Sequence, residues 1–220
     1  DTTEYVRQSL AIWEELGFEF DAISTGFIVT EEETRIISDF CHRRAQKGTK
    51  VFVDPIMGDN GKLYAGVPES TIGLMRSLVE CADYAVPNYT EACLLTDTPI
   101  AEEITADEVR ALVDAMLALG TKSVVITSAK VDGASAVVGY DHVAGEYFEI
   151  PFELIPVYFP GTGDTFSAVL MGRVMSGWSL QRATADAMRV VAELIERNAD
   201  QEDKSAGLPI EACLDVIDHE

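Results

Sequence analysis

An α/β fold of three layers, α/β/α, is what this sequence predicts, with a mostly parallel central sheet and an antiparallel hairpin at its edge. Three observations carry the prediction. Helix-like and strand-like segments alternate along the chain, the pattern of a parallel sheet covered on both faces. Two strand candidates, "VFV" at 51–53 and "VVIT" at 124–127, are continuously apolar, as strands buried on both faces are. Two late strand-like runs, "ASAVVGYD" and "GEYFEIPFEL", flank a short turn at 142–145 and read as a hairpin.

The elements follow in order. "EYVRQSLAIWEELG" is amphipathic and predicts a helix over about 3–16, before the strand "DAISTGF". A helix over 31–47 precedes "KVFVDPI", and one over 68–80 precedes "DYAVPN". Helices near 90–96 and 105–119 precede "SVVITS". After the hairpin come a helix following Gly163, a long one over about 179–198, and a short one over 208–218. The polar stretch "NADQEDKSAG" at 198–207 reads as a surface loop.

Bulk properties narrow the function classes. A chain of 220 residues that is 47% apolar fits one domain, 1–220, with a real core. The formal net charge of −22 opposes binding to nucleic acid or anionic membranes, though it leaves room for a phosphate held by a few N–H groups. No apolar run approaches the length needed to cross a bilayer, and the opening "DTTEYVRQ" lacks the pattern of a signal peptide. That opening also lacks Met, and the expectation is that residues ahead of Asp1 are missing. Cys41, Cys81, Cys93 and Cys213 form no C-x-x-C, and His42, His142 and His219 are scattered, so neither a disulfide framework nor a zinc site is expected. A soluble cytoplasmic protein is the expectation.

In open α/β sheets, ligands bind beyond the carboxyl ends of the strands, so the residues after each strand are the candidates. Gly161-Thr162-Gly163-Asp164 opens a helix in which Phe166, Val169, Leu170 and Val174 share one face. A helix N-terminus offers free N–H groups and positive partial charge, and glycines let a phosphate approach the backbone. Asp164 beside such an anion hole suits a base that takes the proton of an attacking hydroxyl. The residues alone equally allow Asp164 to be a simple helix cap. In "VDPIMGDNGKLY" Asp54 sits on a buried strand end, and Asp59, Asn60 and Gly61 signal a turn, either an ordinary surface turn or a loop folding over a ligand. In "VPNYTEA" Asn88 and Glu91 stand three apart, either as a helix cap or as groups that orient the water shell of Mg²⁺. In "ITSAK" Thr127 and Ser128 end a strand and offer hydroxyls.

Taken in order, G-F, D-P-x-M-G-D with G-K-L-Y, P-N-x-x-E, T-S and G-T-G-D resemble the ribokinase-like superfamily of small-molecule kinases. The sequence looks most like its pyridoxal/pyridoxine/pyridoxamine kinases, on "VDPIMGDNGKLYAG" and "VPNYTEACLL", and the resemblance runs from about Tyr5 to Leu214. It implies ATP-dependent phosphorylation of a 5′-hydroxymethyl group. Gly161, Thr162 and Gly163 then match the anion hole, and Asp164 the base. Asn88 and Glu91 match the motif organising Mg²⁺, with Asp54 an acid near the phosphates and metal. Asp59 and Tyr64 fall in the flap over ATP, Thr127 and Ser128 near its phosphates, and Phe159 near the nucleotide. The resemblance also implies a homodimer and leaves room for a monovalent cation. Phe27 stands where a Tyr is common, and the family's opening βα region, which supplies vitamin contacts, has no counterpart in this chain. The alternatives are a kinase for hydroxymethylpyrimidine or another small hydroxymethyl compound, and a non-catalytic vitamin- or nucleotide-binding paralogue.

Overall fold

A computed structural model describes residues 2–28 and 30–217. The chain falls into two compact units, one through Glu149 and one from Ile150. The first begins with α1 (Thr3–Glu15), β1 (Ala22–Thr25), α2 (Glu31–Ala45) and β2 (Lys50–Val53). A two-stranded ribbon of β3 (Gly58–Asp59) and β4 (Lys62–Leu63) follows, then α3 (Ser70–Val79), β5 (Tyr84–Ala85), α4 (Tyr89–Thr96) and α5 (Ala106–Ala118). Next come β6 (Ser123–Val131), β7 (Ala134–Asp141) and β8 (Glu146–Phe152). The second unit carries α6 (Thr162–Met175) and α7 (Leu180–Arg197).

The main sheet has six strands in the order β1-β2-β5-β6-β7-β8. β1, β2, β5 and β6 pair in parallel, and β7 runs antiparallel to β6. This is the expected mostly parallel sheet with an antiparallel edge. Val51, Val53, Val124, Val125 and Ile126 are fully buried, which explains why β2 and β6 read as unbroken apolar runs. The core of this unit gathers these strands with Cys41, Met75, Leu78, Leu112 and Met116 from the helices. Helix starts obey local chemistry. Thr30 accepts the N–H of Glu33 ahead of three glutamates, and His42, Arg43 and Arg44 close α2 in accord with its dipole.

Several elements differ from the sequence expectation. "GDNGKL" forms a ribbon, not a bare turn: Asn60 and Gly61 both take left-handed φ (52° and 79°), the geometry that reverses a two-residue hairpin. β6 does not end at Ser128. Ser128 takes φ 59° at a register shift, so an extra residue bulges out and pairing resumes from Ala129 to Val131. The expected helix over 208–218 is two short 3₁₀ turns, Ile210–Ala212 and Leu214–Val216, within the described residues. Cys213 (φ −126°) interrupts them, and the carbonyls of Val216 and Ile217 accept from the guanidinium groups of Arg189 and Arg173. Those carbonyls are thereby satisfied without a continuing helix. Asp218 and His219 lie outside the described residues. Among the described residues the four cysteines form no disulfide, no cluster of three metal-ligating side chains occurs, and no helix is long and apolar enough to cross a membrane.

Asp83 ties three strands together. Its buried carboxylate accepts the N–H of Val51 (2.9 Å) and the Nζ of Lys122 (2.6 Å). Its backbone bonds Val51 on one side and Ser123 on the other. Replacing Asp83 by Ala orphans a buried N–H and is expected to cost about 2–3 kcal/mol in urea unfolding. Lys122→Ala, at an exposed ammonium, is expected to cost below about 1 kcal/mol. Equal costs would show that the ion pair, not the buried N–H, is what Asp83 secures.

Candidate active site

In the first unit the rim is organised around Glu91, which is 3% exposed. Asn88 and Glu91 form a reciprocal capping box at the start of α4: Glu91 N–H donates to Asn88 Oδ1 (2.9 Å), and Asn88 N–H donates to Glu91 Oε2 (2.9 Å). The cap reading of N-x-x-E is therefore correct as far as it goes. The other carboxylate oxygen reaches across to the loop after β2. Glu91 Oε1 accepts Met57 N–H (3.0 Å) and Gly58 N–H (3.4 Å). Asn88 Nδ2 donates to the Gly58 carbonyl (2.8 Å), so the pair also fastens the β3–β4 ribbon. Burial pushes the Glu91 carboxyl up to about 8, and the negative charge of Asp54 pushes the same way, against the opposing pull of the backbone N–H groups.

The other predicted residues of this unit gather on the same frame. Asp54, half-buried, follows β2, and its N–H donates to the Thr25 carbonyl (3.1 Å). Asp59 accepts from the N–H and the side-chain amide of Asn60. The Gly61 N–H donates to Thr90 Oγ1 (2.9 Å), anchoring the ribbon turn to α4. Tyr64, at the foot of the ribbon, is 46% exposed, and its N–H donates to the Met57 carbonyl. Thr127 bridges to Asn88 and donates its N–H to the Pro87 carbonyl (3.0 Å), while Ser128 is turned outward by the bulge. Asp54, the ribbon with Asp59, Asn88, Glu91 and Thr127 thus form one connected rim.

Sequence reasoning missed the reach of Glu91 to Met57 and Gly58, because nothing in N-x-x-E encodes a partner more than thirty residues away. It also missed a groove of about 420 Å³ beside β1, lined by Trp13, Phe20, Thr25, Gly26, Phe27 and Phe40. Among the described residues Thr25 Oγ1 is buried there without a hydrogen-bond partner. Phe27, standing after β1 where a Tyr is common in the family it resembles, was the available signal.

The second unit holds the remaining residues. Gly161 is the N-cap of α6, at φ 83°, and provides no side-chain cap bond. Thr162, Gly163 and Asp164 form the first turn, so α6 starts before Gly163, not after it. Thr165 closes the turn: its N–H (3.0 Å) and Oγ1 (2.9 Å) both donate to the Gly161 carbonyl. Thr162 Oγ1 donates to the Phe159 carbonyl (3.4 Å). Asp164 is exposed and is not the cap, which removes the simple capping account of its carboxylate. Phe159 is buried, at 1% exposure.

The mostly parallel sheet with an antiparallel edge is that of the ribokinase-like class of α/β folds, shared with the solved structures below. Residues 3–208 match the phosphomethylpyrimidine kinase family, and the chain belongs to it. It is 33% identical over 174 residues to the pyridoxal kinase of Arabidopsis thaliana, covering 74% of this chain and 53% of that one. The chain spans about half the length of the curated relatives it matches. Among solved structures, a Bacteroides thetaiotaomicron protein assigned as a phosphomethylpyrimidine kinase is 31% identical, with a TM-score of 0.94, covering 100% of this chain and 77% of that one. An orthorhombic crystal form under the same assignment, also 31% identical, contains pyridoxal. Lactobacillus plantarum pyridoxal kinase is 27% identical, with a TM-score of 0.85, covering 99% and 77% of the two chains.

Glu91→Ala leaves three N–H groups at the rim without their acceptor. The expected loss is about 3 kcal/mol or more of unfolding free energy, read by chemical denaturation. Glu91→Gln keeps the shape and one carbonyl acceptor, and should lose markedly less. Equal losses would mean that the acceptor oxygen missing in Gln, and not the packing of the side chain, carries the effect.

Proposed function

We propose that this protein is an ATP-dependent kinase that phosphorylates the 5′-hydroxymethyl group of pyridoxal, pyridoxine or pyridoxamine, acting as one kinase domain. The observation that carries the reading is the first turn of α6. Gly161 leaves its N–H groups without a side-chain cap, and Asp164 stands exposed in the same turn. The N–H groups of Thr162, Gly163 and Asp164 suit the charge that develops on a transferring γ-phosphoryl group. Asp164 is the group to accept the proton of the substrate hydroxyl as its oxygen attacks phosphorus and the bond to the β-phosphate oxygen breaks. The Asn88–Glu91 pair and Asp54 would hold a divalent cation, which supplies charge neutralisation on the phosphates when bound. The donor set fits such a hard ion. Both Glu91 oxygens already accept backbone N–H groups, so its role toward the cation is through water and through placing Asn88 and the ribbon. Asp59, Tyr64, Thr127, Ser128 and Phe159 keep their assignment to the nucleotide side.

The same rim serves a kinase of hydroxymethylpyrimidine, and the family's name and the Bacteroides neighbour favour that second reading. The pyridoxal in that neighbour's crystals and the identity to plant pyridoxal kinase place it second. With the proposal go a homodimer, a cytoplasmic location and room for a monovalent cation, all supported by the family resemblance.

The test is ADP release by the full-length protein with Mg-ATP and a panel of the three vitamers and hydroxymethylpyrimidine. Turnover is expected with a vitamer. Asp164→Asn should lower kcat by about 10²- to 10⁴-fold while ATP still binds. Turnover on hydroxymethylpyrimidine alone would select the second reading, and a wild-type rate in Asp164→Asn would remove Asp164 as the base. Nucleotide and vitamer binding by calorimetry, without turnover, would mark a non-catalytic paralogue.

A further inference from the structure

The polar segment at 198–207 has no role in the reading above, yet it folds into an ordered turn within the second unit. Gln201 N–H donates to the Asn198 carbonyl (3.0 Å), Lys204 Nζ to the Gln201 carbonyl (2.7 Å), and Gly207 N–H to the Lys204 carbonyl (3.1 Å). Asp203 Oδ1 accepts both the N–H and the hydroxyl of Ser205. This turn meets the backbone just ahead of Gly161 at two points. The Lys204 ammonium stands over the buried Phe159 ring, 5.8 Å from its centroid. Gly207, at φ 81°, lies so close to Pro160 that a Cβ on it would stand 3.1 Å from the Pro160 carbonyl oxygen. Both features at Gly207 disfavour a side chain, one by the strain of the left-handed region and one by a contact to which the Pro160 carbonyl would have to yield.

We propose that this turn is a brace for the anion-hole backbone, with Gly207 and Lys204 as positioning residues. Gly207 lets the turn approach the Pro160 carbonyl closely from one side, and Lys204 stands over Phe159 in a cation–π contact. Between them they hold the Phe159–Pro160 backbone, and so the left-handed Gly161 that starts α6. Neither residue touches the reacting atoms. Their effect reaches phosphoryl transfer only through the direction of the first N–H groups of α6, where small displacements weaken transition-state charge stabilisation. The purpose of the brace therefore rests on the kinase reading, while the brace itself does not.

Two readouts separate the two. The first is hydrogen exchange at the Thr165 amide, which the Gly161 carbonyl protects, measured by NMR on the ligand-free protein. The second is the split between kcat and KM with Mg-ATP and pyridoxal. Gly207→Ala should speed exchange at Thr165 by about tenfold and lower kcat by a similar factor, with KM for pyridoxal little changed. Lys204→Met keeps the stem and folds readily, and should speed exchange by about threefold. Gly177→Ala is the control: Gly177 has φ 90° with open space around it, so it imposes the same backbone strain without the contact. It should leave both readouts near wild type. Wild-type exchange in Gly207→Ala and Lys204→Met, or an equal acceleration in Gly177→Ala, would overturn the brace. Faster exchange with an unchanged kcat would overturn its role in positioning. Faster exchange in a protein whose wild type transfers no phosphoryl group would keep the brace and overturn the kinase reading.

Discussion

A buried carboxylate that accepts three backbone N–H groups is the constraint on which the first unit's rim depends. Glu91 is almost fully removed from water, and a carboxylate in that position is unstable unless its lone pairs are filled. They are filled by Asn88, Met57 and Gly58, from two segments distant in the chain. The same bonds fix the start of α4, the path of the chain after β2, and the base of the β3–β4 ribbon. Burial and the nearby charge of Asp54 push the Glu91 carboxyl toward its neutral form.

The sheet explains why these groups converge at all. β2, β5 and β6 run parallel and adjacent, so their carboxyl ends open on one side. Asp54 follows β2, Pro87 and Asn88 follow β5, and Thr127 lies on β6 next to Asn88. The β6 bulge at Ser128 then lets one strand serve two ends. Up to Ile126 it completes the buried sheet, and after Ala129 it continues the ladder with β7. The left-handed Ser128 between them is turned out at the rim instead of being buried in the ladder.

The alternation of apolar runs and amphipathic helices was enough to read the sheet from the sequence, since double burial leaves a composition that little else produces. Rim positions were legible for the same reason: they are the first polar residues after such runs. Asp54 stood out because a charge on a buried strand end needs an explanation. What escaped was set by long-range partners. N-x-x-E looks the same whether Glu91 caps only its own helix or also accepts from Met57 and Gly58. Ser128 looks like a strand end because its backbone angle is not written in its side chain. The last segment looks helical because its residues allow it, but Arg173 and Arg189 satisfy its carbonyls from elsewhere.

Asp164 shows how a structure can remove one reading that a motif allows. Capping and catalysis both place a carboxylate near a helix start, but they place it at different positions. A cap residue sits before the first turn with its oxygen on the N–H groups, as Thr30, Asn88, Thr105 and Ser179 do in this protein. Asp164 sits inside the first turn of α6, and the cap position belongs to a glycine with no side chain to offer. A helix dipole can stabilise an acid there without consuming the N–H groups. The turn therefore leaves its first N–H groups without a side-chain cap and holds a carboxyl group beside them, an arrangement that a capping Ser or Asp at position 161 would not give.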